Sequence, residues 1–268
     1  MLFKRAMITH GGAGANPDHS DGTETAAAAG LEIMKKGGSP LDAVVRSVKI
    51  LEDDPRFNAG TGSRHRVDGH TIELDASCMT SDHKFGAVAC VEGARNPIEI
   101  AQGVLLKSHS ICLAGNGALI FAKENNIPVT PLYDSANVKP LENDDSPSCD
   151  TVGAVAFDGK TFASALSTGG LTNAAIGRVS DVPMPGCGLY CGPLGAIACT
   201  GDGEFIAMEV LAKQVYDWLA SGMSSDMAVK KAIALFEDSV DIGLIILTEK
   251  ELSANARRGM PWSQLYEN

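Results

Sequence analysis

Ser148-Cys149-Asp150-Thr151-Val152-Gly153-Ala154-Val155-Ala156-Phe157 is the stretch that decides how this 268-residue chain is read. Upstream, residues Lys123 to Asp150 form a polar linker carrying Pro128, Pro131, Pro140 and Pro147 and the acidic run Glu142-Asn143-Asp144-Asp145. Downstream, with no transition, Thr151 to Phe157 reads as a strand apolar on both faces. Such a strand needs cover on both sides, a second sheet on one and helices on the other. Stacked sheets between helical layers are therefore expected. Threonine favours strands, so Thr151 can simply begin one. Cleavage of the Asp150–Thr151 bond would also give it a free amino group beside its own hydroxyl, a nucleophile with a built-in base.

Composition narrows the classes. The chain is 44% hydrophobic and 21% charged, as in ordinary globular proteins. A formal net charge of -11 and no run of Lys or Arg argue against a nucleic-acid surface. No apolar run approaches the roughly 18 residues of a membrane span. Met1 to Thr9 is too short and polar for a signal peptide and reads as a first strand. The seven cysteines are scattered, mostly in apolar runs, and read as reduced small hydrophobes in a cytoplasmic protein. Cys187 and Cys191 have the wrong spacing for a zinc pair.

Along the chain, His10-Gly11-Gly12-Ala13-Gly14 lacks the features of a nucleotide loop and reads as a tight turn. A helix is expected over about Gly22 to Lys36. A second begins with Ser39 as N-cap, Pro40 at N1 and Asp42 at N3, presents Leu41, Val44, Val45 and Val48 on one face, and ends at Pro55. A glycine-bearing loop follows to Gly62. Asp68-Gly69 signals a two-residue hairpin leading into a strand Ile72 to Ser77. Another strand covers Phe85 to Val91, and Asn96 caps a third helix. In the second half, strands are expected at Cys187–Tyr190, Gly195–Cys199 and Ile242–Leu247. Helices are expected over Glu204–Ala220, with Phe205, Met208, Leu211, Ala212, Val215 and Leu219 on one face, and over Ser225–Glu237.

Three segments carry chemistry. A two-residue turn at Asp158-Gly159 would pair Phe157 with Lys160, and hence Thr151 with Leu166. Thr168 would then share the face of Thr151, with its Cβ roughly 7–8 Å away. Arg178 and Asp181 are either a surface ion pair or a clamp for an amino-acid zwitterion, the guanidinium forking a carboxylate and the aspartate taking an ammonium. Thr200-Gly201-Asp202-Gly203 is either a plain strand-to-helix turn or a source of N–H groups for an oxyanion.

With these on the page, the chain resembles the N-terminal-nucleophile hydrolases of the plant-type asparaginase family, which includes isoaspartyl aminopeptidases and glycosylasparaginases. The matching segments are His10 to Gly14, Leu51 to Gly60, Glu73-Leu74-Asp75-Ala76-Ser77, Thr151 to Val155, Ser167 to Gly170, Gly177-Arg178-Val179 with Asp181, and Thr200 to Glu204, in family order over nearly the whole chain. The resemblance implies an α+β, four-layer αββα sandwich in one domain, maturing by self-cleavage between Asp150 and Thr151 into residues 1–150 and 151–268. It implies Thr151 as nucleophile, Thr168 supporting its amino group, and Thr200 and Gly201 as oxyanion hole. Arg178, Asp181 and Gly203 would hold the substrate's α-groups, and Asn58 would reach the active site. No cofactor is implied for catalysis. A structural sodium ion is implied on the carbonyls of Leu51, Glu52, Asp54, Phe57, Ala59 and Thr61. The implied partners are a small amino-acid or dipeptide substrate and a second copy of the processed unit. The implied reaction is hydrolysis of the side-chain amide of asparagine or of β-aspartyl peptides. Departures are Asp150 where many asparaginases have glycine, Ser180 and Val182 beside the clamp, and a short linker. The Asp-Thr junction resembles that of glycosylasparaginases and threonine aspartases. A threonine protease and a non-catalytic amino-acid binder are the rival readings.

Overall fold

The computed structural model describes residues 2–132 and 151–268. The helices are α1 (Ser20–Lys35), α2 (Pro40–Asp53), α3 (Pro97–Lys107), α4 (Gly115–Glu124), α5 (Gly203–Met208), α6 (Leu211–Ala220) and α7 (Ser225–Ala234). The strands are β1 (Arg5–His10), β2 (Leu74–Thr80), β3 (Phe85–Val91), β4 (Cys112–Ala114), β5 (Val152–Phe157), β6 (Phe162–Thr168), β7 (Leu189–Gly192), β8 (Gly195–Gly201), β9 (Ile242–Leu247), β10 (Leu252–Ala256) and β11 (Trp262–Glu267). Among the described residues they form a seven-stranded sheet, β11-β1-β5-β6-β2-β3-β4, and a four-stranded sheet, β10-β9-β8-β7. No described helix is long and apolar enough to cross a membrane.

β5 is buried along its whole length, and alternation divides its side chains between two apolar clusters. Val152, Ala154 and Ala156 join Leu31, Val44, Val48 and Ile98 under the helices of the first half. Val155 and Phe157 join Phe162, Leu166, Leu189, Ala198 and Ile245, from both sheets. A third cluster packs Ile197, Leu244 and Ile246 on Leu211, Val215 and Val229 of the last helices. Thr151 has the parity of Val155, which aims it between the sheets.

α2 forms as its sequence predicts. Ser39 and Asp42 make a reciprocal capping box, and Leu41, Val44, Val45 and Val48 are buried. Other expectations need correction. The β5–β6 connection is a four-residue loop, because Asp158 Oδ1 accepts the N–H groups of Lys160 and Thr161 at 2.9 and 2.8 Å. Phe157 therefore pairs with Phe162 and Val152 with Ser167. One step further sets Thr151 directly across from Thr168, closer than the diagonal expected.

The expected Glu204–Ala220 helix is two helices. Val210 at φ 48 separates α5 from α6, and Phe205 and Met208 are exposed. The first N–H groups of α6 find the carbonyls of Gly186 and Cys187, so a new helix can start there without orphaned donors. α7 stops at Ala234, where Arg257 donates to the carbonyls of Ile233 and Phe236, both at 2.7 Å. The turn at Asp68-Gly69 exists, but the strand beyond it starts only at Leu74. Asn96 does not cap α3. Its amide is spent on Glu52 and Asp53. β4, α4, β10 and β11 had no sequence expectation. The expected linker begins inside α4, and its described part docks on residues 93–95 through Arg95 N–H to Thr130 O and Leu132 N–H to Gly93 O. Its remainder, with Asp150, lies outside the described residues.

Candidate active site

The site forms where the mouths of the two sheets meet. Thr151 enters β5 with 5% of its surface exposed. Opposite it, Thr168 ends β6, and its hydroxyl accepts the N–H of Gly170 at 3.1 Å. Gly170, at φ +75, turns the chain away. Asn58 brackets that turn. Its carbonyl accepts the Gly169 N–H at 2.9 Å, its Nδ2 donates to Gly170 O at 2.6 Å, and its Oδ1 accepts the Arg64 N–H at 3.2 Å. Asn58 thus reaches the site by holding the turn.

From the second sheet, Thr200 and Gly201 end β8. The Thr200 hydroxyl accepts the Ala13 N–H at 3.1 Å, which brings the first glycine loop into the site. Gly201 sits at φ +131, and a Cβ there would lie 2.2 Å from Asp241 O, so only glycine fits. A Cβ on Gly203 would lie 2.7 Å from Asp181 Oδ1 and 3.1 Å from Arg178 Nη2. The space beside both charged groups is kept by that missing methyl.

Arg178 is a planar fork already engaged on one edge. Nε and Nη2 donate to the two oxygens of Glu204 at 2.8 and 2.7 Å. Asp181 is buried, and its Oδ2 has no hydrogen-bond partner among the described residues. Burial pushes its carboxyl up to about 7, against the pull of its own backbone N–H and of Arg178. Behind them, Asp75 holds Ser180 by N–H and hydroxyl at 2.9 and 2.7 Å, and Cys90 N–H at 2.8 Å. His10, opposite Gly153 in the ladder, is fully buried against the Thr151 backbone. Burial pushes its imidazole down to about 3 despite the opposing Thr151 backbone contact, so it is neutral.

Thr151, Thr168, Arg178, Asp181 and Gly201 line one narrow recess of about 10 Å³, room for about one water, with Gly170, Leu171 and Ser180. A larger hollow of about 330 Å³, near Ser39–Leu41 and Thr80–Lys84, gathers no comparable set of groups. The recess offers paired hydroxyls, a buried carboxyl with one unpaired oxygen and, beside it, a guanidinium already bonded to Glu204. The chemistry of these groups, rather than the space between them, suits a small zwitterion presented to a hydroxyl nucleophile. Sequence reading missed Glu204, Asp75 and His10 as parts of this site. All three stand inside the motif segments, but without tertiary contacts they read as a helix start, a strand residue and a turn residue.

The carbonyl set Leu51, Glu52, Asp54, Phe57, Ala59 and Thr61 lies where α2 ends. Three of these carbonyls accept loop N–H groups: Asp54 from Phe57, Phe57 from Ala59, and Ala59 from Gly62. A Cβ on Gly60 would lie 2.5 Å from Glu52 O, so the loop is wound tightly over the helix end. A helix C-terminus rich in carbonyls suits a cation. Burial raises the Glu52 side chain to about 8, which holds it neutral there.

The Asp181 shift predicts a pH dependence. Only the ionised carboxylate pairs with an ammonium, so KM for an amino-acid substrate should fall as pH rises through about 7. For stability the sign is opposite. The unfolded chain releases the proton near 3.9 while the fold retains it, so this group's contribution declines between about pH 4 and pH 7. Asp181→Asn should bind substrate poorly at every pH. In thermal melts, its Tm relative to the parent should rise from about pH 5 to about pH 8. A Tm difference that is flat with pH would contradict the shift.

Comparison with known proteins gives concordant results. A family profile described as asparaginase matches residues 3–260. An isoaspartyl peptidase/L-asparaginase from Danio rerio is 37% identical over 91% of this chain and 85% of its own length. One from Rattus norvegicus is 38% identical over 96% of this chain and 85% of its own. A plant-type L-asparaginase from Thermococcus kodakarensis is 37% identical over 86% of this chain and 84% of its own.

Proposed function

The chain belongs to the asparaginase family and is an amidohydrolase, and from that premise we propose a self-processing threonine enzyme that releases aspartate from L-asparagine and β-aspartyl peptides. The observation that carries the reading is the recess. Two threonine hydroxyls stand across from each other, beside a buried carboxylate with an unpaired oxygen and an arginine. The relatives' names supply the substrates.

Processing begins when the Thr151 hydroxyl attacks the carbonyl of Asp150. The C–N bond breaks as the hydroxyl proton passes to the leaving nitrogen, so the peptide becomes an ester beside a free Thr151 amine, and water then hydrolyses the ester to the Asp150 carboxylate and the Thr151 hydroxyl. That amine has a reference pKa of about 7.7–8.0 and takes the hydroxyl proton at neutral pH. In turnover the Thr151 oxygen attacks the side-chain carbonyl of the aspartyl unit. Thr200 and the Gly201 N–H stabilise the oxyanion. The amine proton passes to the leaving nitrogen, ammonia or a peptide amine departs, and water hydrolyses the acyl-threonine to aspartate. Arg178 and Gly203 take the α-carboxylate, Asp181 the α-ammonium, and Thr168 steadies the Thr151 amine.

The three apolar clusters support a four-layer αββα domain for the whole chain. A sodium ion would sit on the Leu51–Thr61 carbonyls, where it would steady the loop that carries Asn58. The working unit is taken as a dimer of processed chains. The test is denaturing intact mass over a long incubation, with aspartate release followed in parallel. Masses for residues 1–150 and 151–268 should grow together with activity, and the fragments should stay associated because β1 pairs with β5 across the cut. A single uncut species with full activity would overturn self-processing.

A further inference from the structure

Arg66 is the largest side chain with no solvent exposure. Its Nε donates to Glu73 Oε2 at 3.1 Å and its Nη2 to the Glu73 carbonyl at 2.9 Å. The same Glu73 Oε2 accepts the N–H of Gly177 at 2.7 Å, one residue before Arg178. The third nitrogen, Nη1, has no hydrogen-bond partner among the described residues. It presses on Gly170, where a Cβ would come within 2.4 Å of it. Gly170 is the residue whose N–H the Thr168 hydroxyl holds. Backbone bonds lace the same two segments, Asn173 N–H to His65 O and Val67 N–H to Ala174 O, at 3.1 and 2.9 Å.

A buried ion pair is a poor source of stability, because removing two charges from water offsets much of their attraction. This one does something an apolar pair could not. The fork bonds Glu73 at two points while its third nitrogen packs on Gly170, and the Glu73 carboxylate holds Gly177, so the pair joins the entry of β2, the turn after Thr168 and the start of the Arg178 segment. We infer that Arg66 and Glu73 are positioning residues that hold the Gly169–Gly177 segment so that Arg178 and Asp181 stand at the right distance from Thr151. The inference rests on the preceding reading, in which Arg178 and Asp181 take the substrate's α-groups. The pair touches neither Thr151 nor Thr200, so its loss should act on substrate capture rather than on the chemical step.

The experiment compares Arg66→Met/Glu73→Gln, Arg66→Lys and Arg178→Lys on full-length protein, with rates normalised to the cleaved fraction measured by intact mass. The double variant removes both charges and leaves the Gly177 N–H an acceptor, and Arg66→Lys keeps the charge but not the fork. The expected result is a KM for asparagine raised about tenfold in the double variant and about threefold in Arg66→Lys, with kcat within about threefold and a Tm close to the parent's. KM unchanged in both Arg66 variants while Arg178→Lys raises it would overturn the positioning role alone. KM unchanged in Arg178→Lys would overturn the head-group reading and this inference with it. If the double variant does not fold, Arg66→Lys decides. If neither folds, or kcat falls as far as KM rises, the pair is a general support and the inference fails.

Discussion

Thr151→Ala is expected to give a folded, uncut chain whose asparagine hydrolysis falls by on the order of 10⁴-fold or more, as when a catalytic hydroxyl is removed elsewhere. In the proposed mechanism one atom serves both reactions, the Thr151 oxygen attacking first its own peptide and then the substrate. The loss in function should far exceed the loss in stability. Thr151 lies at the entry of β5, before the first ladder pair, and replacing one threonine there should cost about 1 kcal/mol. Thr168→Ala should be milder. It removes a hydroxyl that holds Gly170 N–H and stands across from Thr151, so processing and turnover should slow without stopping. Intact mass and ammonia release measure the two effects separately. Wild-type turnover in Thr151→Ala would remove the nucleophile assignment.

The second large effect concerns the substrate's head. N-acetyl-asparagine should be hydrolysed at least about a hundredfold more slowly than asparagine, judged by kcat/KM. Acetylation removes the ammonium that Asp181 would pair with and leaves a buried carboxylate unpaired, a loss of roughly 3 kcal/mol or more. Arg178→Lys should also weaken substrate use, because a lysine keeps the charge but not the planar edge left free beside Glu204. A β-aspartyl dipeptide offers both head charges and should be accepted. A glycosylasparagine offers them too and tests the leaving-group side alone. Equal rates for free and acetylated asparagine would discard the clamp and bring forward a threonine protease acting on internal aspartyl bonds.

Much of this was legible in the residues themselves. The box Ser39-Pro40-Asp42 specifies its helix because capping is local chemistry. The unbroken apolar run from Val152 to Phe157 required cover on both faces. Because a strand alternates strictly, Thr168 fell on the face of Thr151 even though the loop was two residues longer than expected and moved it from a diagonal to a direct neighbour. Thr151, Thr168, Arg178, Asp181 and Gly201 converge on one recess, as their motifs implied.

Other features needed the fold. Apolar spacing from Phe205 to Leu219 describes one helix, yet carbonyls from Gly186 and Cys187 supply a second start and leave Phe205 and Met208 exposed. Short edge elements such as β4, β10 and β11 are stabilised by their neighbours more than by propensity, so little in the local sequence announces them. The roles of Glu204 and Asp75 depend on partners 26 and 105 residues away, and that of Arg66 on Glu73, whose carboxylate reaches Gly177, 104 residues further on. The sequence by itself determined the strand that follows Thr151, its two-sided burial and the chemical types in the candidate site. Only the tertiary structure decided which charges are already paired, which oxygen is left unpaired and which buried groups touch the segment before Arg178. Local propensity and alternation act over a few residues, whereas hydrogen-bond pairing and burial belong to groups that meet only when the chain has folded.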